Sequence, residues 1–96
     1  MNITTKILKA TANERRVRIL QMLLEREKLV VNKICKELKI SYPLTSKHLA
    51  KLESVGLVKK RQENLWVYYS INQDKKKKYN QVFLKFIKMS LSNLPK

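Results

Sequence analysis

One cysteine, one glycine, one histidine and one tryptophan are spread over 96 residues, and only 7 side chains are acidic. Each shortage removes a class of function. A lone thiol, Cys35, closes no disulfide within the chain, which excludes a secreted disulfide framework and fits a reducing cytoplasm. A lone glycine leaves no glycine-rich loop to cradle phosphates. Glu25 and Glu27 flank Arg26 and so lie on different helix faces, while Glu37, Glu53 and Glu63 stand apart, leaving no acidic cluster for the metals of a nuclease. No Ser-His-Asp set is present. No apolar run approaches the roughly 20 residues of a membrane-spanning helix, and MNITTKILKATANERR has no signal-peptide hydrophobic region. What remains is a soluble, cytoplasmic binding protein without enzymatic machinery.

Basic side chains are abundant: 22 Lys and Arg against 7 Asp and Glu give a net charge of +15. The excess runs through every predicted helix, which points to a polyanionic partner. Residues 1–96 read as one small domain whose core is thin, so dimerisation would supply missing burial.

Ile3, Ile7 and Leu8 have helical spacing, and Asn13 is placed to cap a second helix over Arg15 to Glu25 that is apolar on most sides. Leu29 to Val31 can form a short extended segment that pairs with a later hairpin. A third helix follows with Asn32 as its cap, its inner face Val31, Ile34, Cys35 and Leu38 recurring at i, i+3, i+4 and i+7. Ser41 caps a fourth helix with Pro43 in its first turn, where a missing N–H costs nothing. Thr45, Leu49, Leu52 and Val55 face inward, and Gly56 stands where the helix end needs a positive φ. Leu57 to Arg61 and Leu65 to Ile71 are extended runs joined by Gln62, Glu63 and Asn64. From Asp74, as cap, the chain turns helical again with Tyr79, Val82, Phe83, Phe86, Ile87 and Met89 among lysines, and Pro95 marks the end. The predicted order is α-α-α-α-β-β-α: a mainly helical α+β winged helix-turn-helix, with the helix-turn-helix at about 32–56, the wing at about 57–71 and a last helix at about 74–92.

At ILKATANERRVRIL, ISYPLTSKHLAKLESVGLV and WVYYSI the chain resembles the ArsR/SmtB family of winged-helix repressors, over nearly its whole length. The resemblance implies a homodimer built from the first and last helices, with Ile3, Ile7, Val82, Phe83, Phe86 and Ile87 as contacts. The aromatic stripe on the last helix is, by its spacing alone, more than 96 residues can readily bury.

A recognition helix presents its N-terminal residues to base edges in the major groove. Here these are Tyr42, Pro43, Leu44, Ser46, Lys47 and His48. Lys47 suits guanine O6 or N7, Ser46 a base edge or phosphate, and Leu44, Pro43 and Tyr42 thymine methyls. So few donors predict a leaning toward A·T-containing sites and a large phosphate share. Lys33, Lys36, Lys39 and Lys51, with Lys60 and Arg61 on the wing, are suited to phosphates, and Gln62 and Asn64 at its tip to the minor groove. His48 reads as a helper that packs against the preceding helix and meets a phosphate.

Metal-sensing relatives carry Cys-x-Cys where this chain has Val30, Val31 and Asn32, and others place Asp, His and Glu on the final helix, where Asp74 is the only acid here. No metal or other cofactor is therefore expected, and Cys35 reads as a small core residue. The expected activity is metal-independent, sequence-specific binding of double-stranded DNA by a repressor. The alternative is an architectural protein that coats DNA without selecting sequence.

Overall fold

The structure, a computed structural model, describes residues 2–74 and 76–91. Helix α1 (Ile3–Thr11) is capped by Asn2, whose Oδ1 accepts from the Thr5 N–H at 2.8 Å. Helix α2 (Glu14–Glu25) is capped by Asn13 as its sequence predicts, with Oδ1 accepting from the Arg16 N–H at 3.1 Å. Its Ile19, Leu20, Met22 and Leu23 are buried, and α1, α4, α5 and the sheet all pack around it.

Strand β1 (Leu29–Val30) leads without a break into α3 (Val31–Leu38). Asn32 does not cap α3. Pairing of β1 holds Val30 extended at φ −79, ψ 154, so the cap position falls at Val30, two residues before the expected site, without a side-chain cap, and Asn32 lies exposed in the first turn. Lys39 ends α3 in the left-handed region, φ 58, a task more often left to glycine or asparagine.

Ser41 caps α4 (Tyr42–Ser54), its Oγ accepting from the Leu44 N–H at 3.3 Å, with Pro43 in the first turn. Thr45, Leu49, Leu52 and Val55 are buried as the spacing predicts. The helix closes on a Schellman pair: the Leu57 N–H donates to the Leu52 carbonyl at 3.1 Å and the Gly56 N–H to the Glu53 carbonyl at 2.9 Å. Gly56 has φ +78.

Strands β2 (Val58–Glu63) and β3 (Trp66–Ile71) form the wing, in a three-stranded antiparallel sheet of order β1-β3-β2. Strand β2 starts one residue later than expected and runs two residues further, to Glu63, whereas β3 starts one residue later than expected, at Trp66. Glu63 pairs with Trp66, so the tip is Asn64 and Leu65, with Asn64 at φ +57.

Helix α5 (Lys78–Leu91) begins four residues after Asp74, its expected cap. Asp74 instead closes a turn, accepting from the N–H groups of Lys76 at 3.0 Å and Lys77 at 3.2 Å. The inward stripe is Asn80, Leu84 and Ile87, with Phe83 packed at its edge. Two expected dimer contacts, Ile7 and Ile87, are thus corrected to core positions of the single chain, because each shares the helical stripe that meets α2 or α4. Val82 and Phe86 remain 70% and 63% exposed, and Ile3, Leu8 and Met89 are also outside. Pro95 lies outside the described residues.

The buried Asn80 amide donates to the Val55 carbonyl at 3.1 Å and the Gly56 carbonyl at 3.2 Å. A Cβ on Gly56 would stand 3.2 Å from that same amide nitrogen, on a backbone unfavourable to any L side chain. Gly56→Ala is expected to lower the free energy of unfolding by about 1–3 kcal/mol, read as a lower urea midpoint at unchanged slope.

Candidate nucleic-acid interface

The first two turns of α4 bring Tyr42, Pro43, Leu44, Ser46 and Lys47 together. Tyr42, Pro43 and Lys47 are exposed, and Leu44 and Ser46 half-buried at the stripe's edge. Lys51 continues the exposed side one turn on. Lys33, Lys36 and Lys39 are exposed on α3 and its end.

His48, expected on or near the outward side, is instead only 6% exposed. It lies three residues after Thr45 and four before Leu52, so its ring turns into the seam between α4 and α2. There Arg16 Nε donates to His48 Nδ1 at 3.1 Å, while Arg16 Nη1 donates to the Ala10 carbonyl at 3.2 Å. One guanidinium thereby closes the end of α1 and orients a side chain of α4. Burial, then the charges of Arg16 and Arg15, hold the His48 pKa below its ordinary value, which favours the neutral ring. Accepting at Nδ1 places that ring's proton on Nε2.

Beside this seam run two adjoining clefts. One is lined by Arg16, Lys47, Lys51 and the His48 edge, the other by Lys6, Lys9, Arg16 and Lys51; no acidic side chain lines either. Lys6 and Lys9 thus extend the cationic surface of α4 onto α1. Their spacing on a predicted helix was visible in the sequence, but nothing local linked them to a helix 40 residues away.

Pairing within the wing sorts its side chains. Lys60 and Gln62 share a face with Val67 and Tyr69, while Lys59 and Arg61 share the other with Tyr68 and Ser70. Tyr69 is buried, and its phenol pKa is raised by burial and then by Glu53 and Tyr42; β2 packs against α4. Lys60 and Arg61, grouped by sequence as wing cations, therefore point to opposite sides. Arg61 and Lys59 line a cleft of about 450 Å³ against the end of α2. Lys28 braces this side, paired with Glu63 and seated 4.5 Å above the Tyr68 ring. At the tip, exposed Asn64 is held by the Gln62 amide, which donates to its carbonyl at 3.3 Å. Leu65, read from sequence as the start of a strand, is the other tip residue.

Residues 13–60, from the cap of α2 into the wing, match the family described as "Bacterial regulatory protein, arsR family". The chain belongs to that arsR family. It is 46% identical over 66 residues to the transcriptional activator HlyU of Vibrio cholerae, a match spanning 69% of this chain and 60% of HlyU. The uncharacterized HTH-type transcriptional regulator MJ1325 of Methanocaldococcus jannaschii is 40% identical over 72 residues, 75% of this chain and 81% of that protein. The solved structure of V. cholerae HlyU is similar at a TM-score of 0.70 and 36% identity, over 88% of this chain and 90% of that one. The homodimeric winged helix-turn-helix DNA-binding domain Mb0332 of Mycobacterium bovis, in solution, gives 0.78 at 24% identity, over 98% of this chain and 82% of that one. That likeness establishes the winged helix-turn-helix fold.

Because folding holds the His48 pKa down, the unfolded chain takes up this proton first as pH falls. Stability from this group is therefore full above the ordinary histidine pKa and is lost on acidification toward the folded value. The arsR-family domain is expected to lose thermal stability between about pH 7.5 and about pH 5.5. In His48→Asn, whose carbonyl oxygen can still accept from Arg16, calorimetry over the same interval should show a flatter dependence.

Proposed function

We propose that this chain is a homodimeric transcriptional repressor that binds an inverted repeat in double-stranded DNA, without a metal or other cofactor, in the cytoplasm. The observation that carries this reading is geometric. The first turns of α4 are exposed, and the wing, which bears the exposed Lys60 and Gln62 on one face, packs through β2 against that same helix, in a chain of net charge +15. Membership of a family of regulatory proteins supports the same role. Tyr42, Pro43, Leu44, Ser46 and Lys47 enter the major groove, with Ser46 and Lys47 supplying the hydrogen bonds. Lys33, Lys36, Lys39, Lys51 and Lys60 take phosphates, joined by Lys6 and Lys9. His48 acts from behind, holding α4 against Arg16.

The dimer rests on Ile3, Leu8, Val82, Phe86 and Met89, apolar side chains that α1 and α5 leave in solvent. A dimer of this fold sets its recognition helices about 34–36 Å apart, one turn of the duplex. Repression follows from occupancy, since a bound dimer covers promoter sequence and needs no further activity. Among the described residues no group of three or more His, Cys, Asp or Glu stands close enough to hold a metal. A second reading, an architectural DNA-coating protein, is favoured by the same net charge and by the few base-reading donors of α4.

Selection from a random duplex pool, followed by competition at two salt concentrations, separates the two. A repressor recovers a palindrome and prefers it by about 10³-fold or more, whereas discrimination below about tenfold leaves the coating reading. Ser46→Ala with Lys47→Ala should weaken the selected site about 10-fold or more, and each lost phosphate contact should lower the salt slope by about 0.9. Val82→Glu with Phe86→Glu should give monomers in analytical ultracentrifugation and abolish palindrome binding.

A further inference from the structure

The wing ends in an apolar tip. Leu65 is 92% exposed and Trp66, beside it, 57% exposed, with Val67 following on the other face. The remaining exposed large apolar residues among those described lie on α1 and α5, apart from Tyr42 on α4, so these three form a separate group. Leucine is not chosen for turn geometry. Two-residue hairpin tips favour asparagine, aspartate and glycine, and here Asn64 alone takes the positive φ. The tip is also held: Gln62 bonds to the Asn64 carbonyl, and Glu63 and Trp66 pair directly beneath it.

Further back along β2, beyond Glu63 and Gln62, come Lys59, Lys60 and Arg61, three successive cations on alternating faces of the wing. A partner that admits an apolar point and meets cations behind it, at its rim, is anionic outside and apolar inside. A duplex has this layering, with phosphates at the rim of the minor groove and stacked bases at its floor. The wing packs through β2 against α4, so its tip stands beside the duplex that α4 would read.

We propose that Leu65 is an apolar wedge that enters the minor groove beside the half-site and partly unstacks one base step, so that the chain selects DNA by deformability as well as by base contacts. This rests on the DNA-binding reading above. Side chains of this kind kink duplexes by about 20–90°, most cheaply at pyrimidine–purine steps. The wedge gives a recognition helix with few donors a second source of specificity.

Trp66, the only tryptophan, reports on the tip directly. The test uses the full chain and the duplex recovered by random-pool selection, with 2-aminopurine walked through its half-site flanks. The expected result is a severalfold rise in 2-aminopurine fluorescence at one flanking step per half-site, with Trp66 protected from acrylamide quenching. Leu65→Ala, a change at a solvated tip, should abolish the rise, reduce bending in a circular-permutation gel and bring the preference for a flexible flanking step to within about twofold, whereas Leu65→Met should retain all three. Tight binding by the native chain with no 2-aminopurine rise, or with Trp66 still fully quenchable, overturns the wedge and leaves the repressor reading standing. A tip that instead serves a protein partner gives that same outcome. No binding to any duplex overturns both.

Discussion

The side-chain amide of Asn80, buried on α5, donates to the carbonyls of Val55 and Gly56 at the point where α4 ends. Both acceptors belong to the end of a helix, where carbonyls lack intrahelical partners, and each would cost about 1–3 kcal/mol if buried unpaired. The bonds need Gly56 bare, because a Cβ would crowd the amide nitrogen. They also join two functional ends of the molecule. Helix α5 carries the surface of the proposed dimer and α4 the proposed groove-reading residues, so this contact ties one helix to the other.

Charge is distributed to a similar end. Glu37 and Glu63 are bound to Arg26 and Lys28, and the carboxyl pKa of each is lowered first by that hydrogen bond. Exposed pairs of this kind add little stability. Their consequence is placement: these two acids are tied to cations, while the clefts beside α4 are lined by cations without a carboxylate. Keeping His48 neutral fits this arrangement, since a charged ring next to Arg16 would be both desolvated and repelled.

Elements with strong local chemistry were legible in the sequence. Asn13, Ser41 and Gly56 each state a helix boundary in one residue, and all three hold. The inner face of α4 could be read because its stripe is apolar apart from Thr45. The inner face of α5 could not, because its first member is Asn80, whose two bonds come from residues 24 and 25 positions earlier. Hydrophobicity alone picks out Tyr79, Val82, Phe83, Phe86, Ile87 and Met89 together, and of these only Ile87 is buried and Phe83 partly so. His48 was misplaced for a related reason: its partner, Arg16, is 32 residues away. Asn32 failed as a cap because pairing of β1 with β3, a tertiary event, started α3 early. The site's exposed residues on α4 followed from its period, whereas Lys6 and Lys9 required the packing of α1 on α4.

A wing can deform DNA only if its own base does not yield. Three features stiffen this one. Strand β3 is paired on both edges, by β1 and β2, so it cannot peel away alone. Lys28, from the connection that precedes β1, bonds to Glu63 near the tip and packs on Tyr68, tying the far end of the hairpin to the body. Tyr69, Ile71 and Val58 root the other face in the core. Stiffness there matters more than added donors. A chain whose affinity is mostly phosphate attraction gains selectivity when the duplex, and not the protein, must bend to complete the contact, because the bending cost then varies with base sequence.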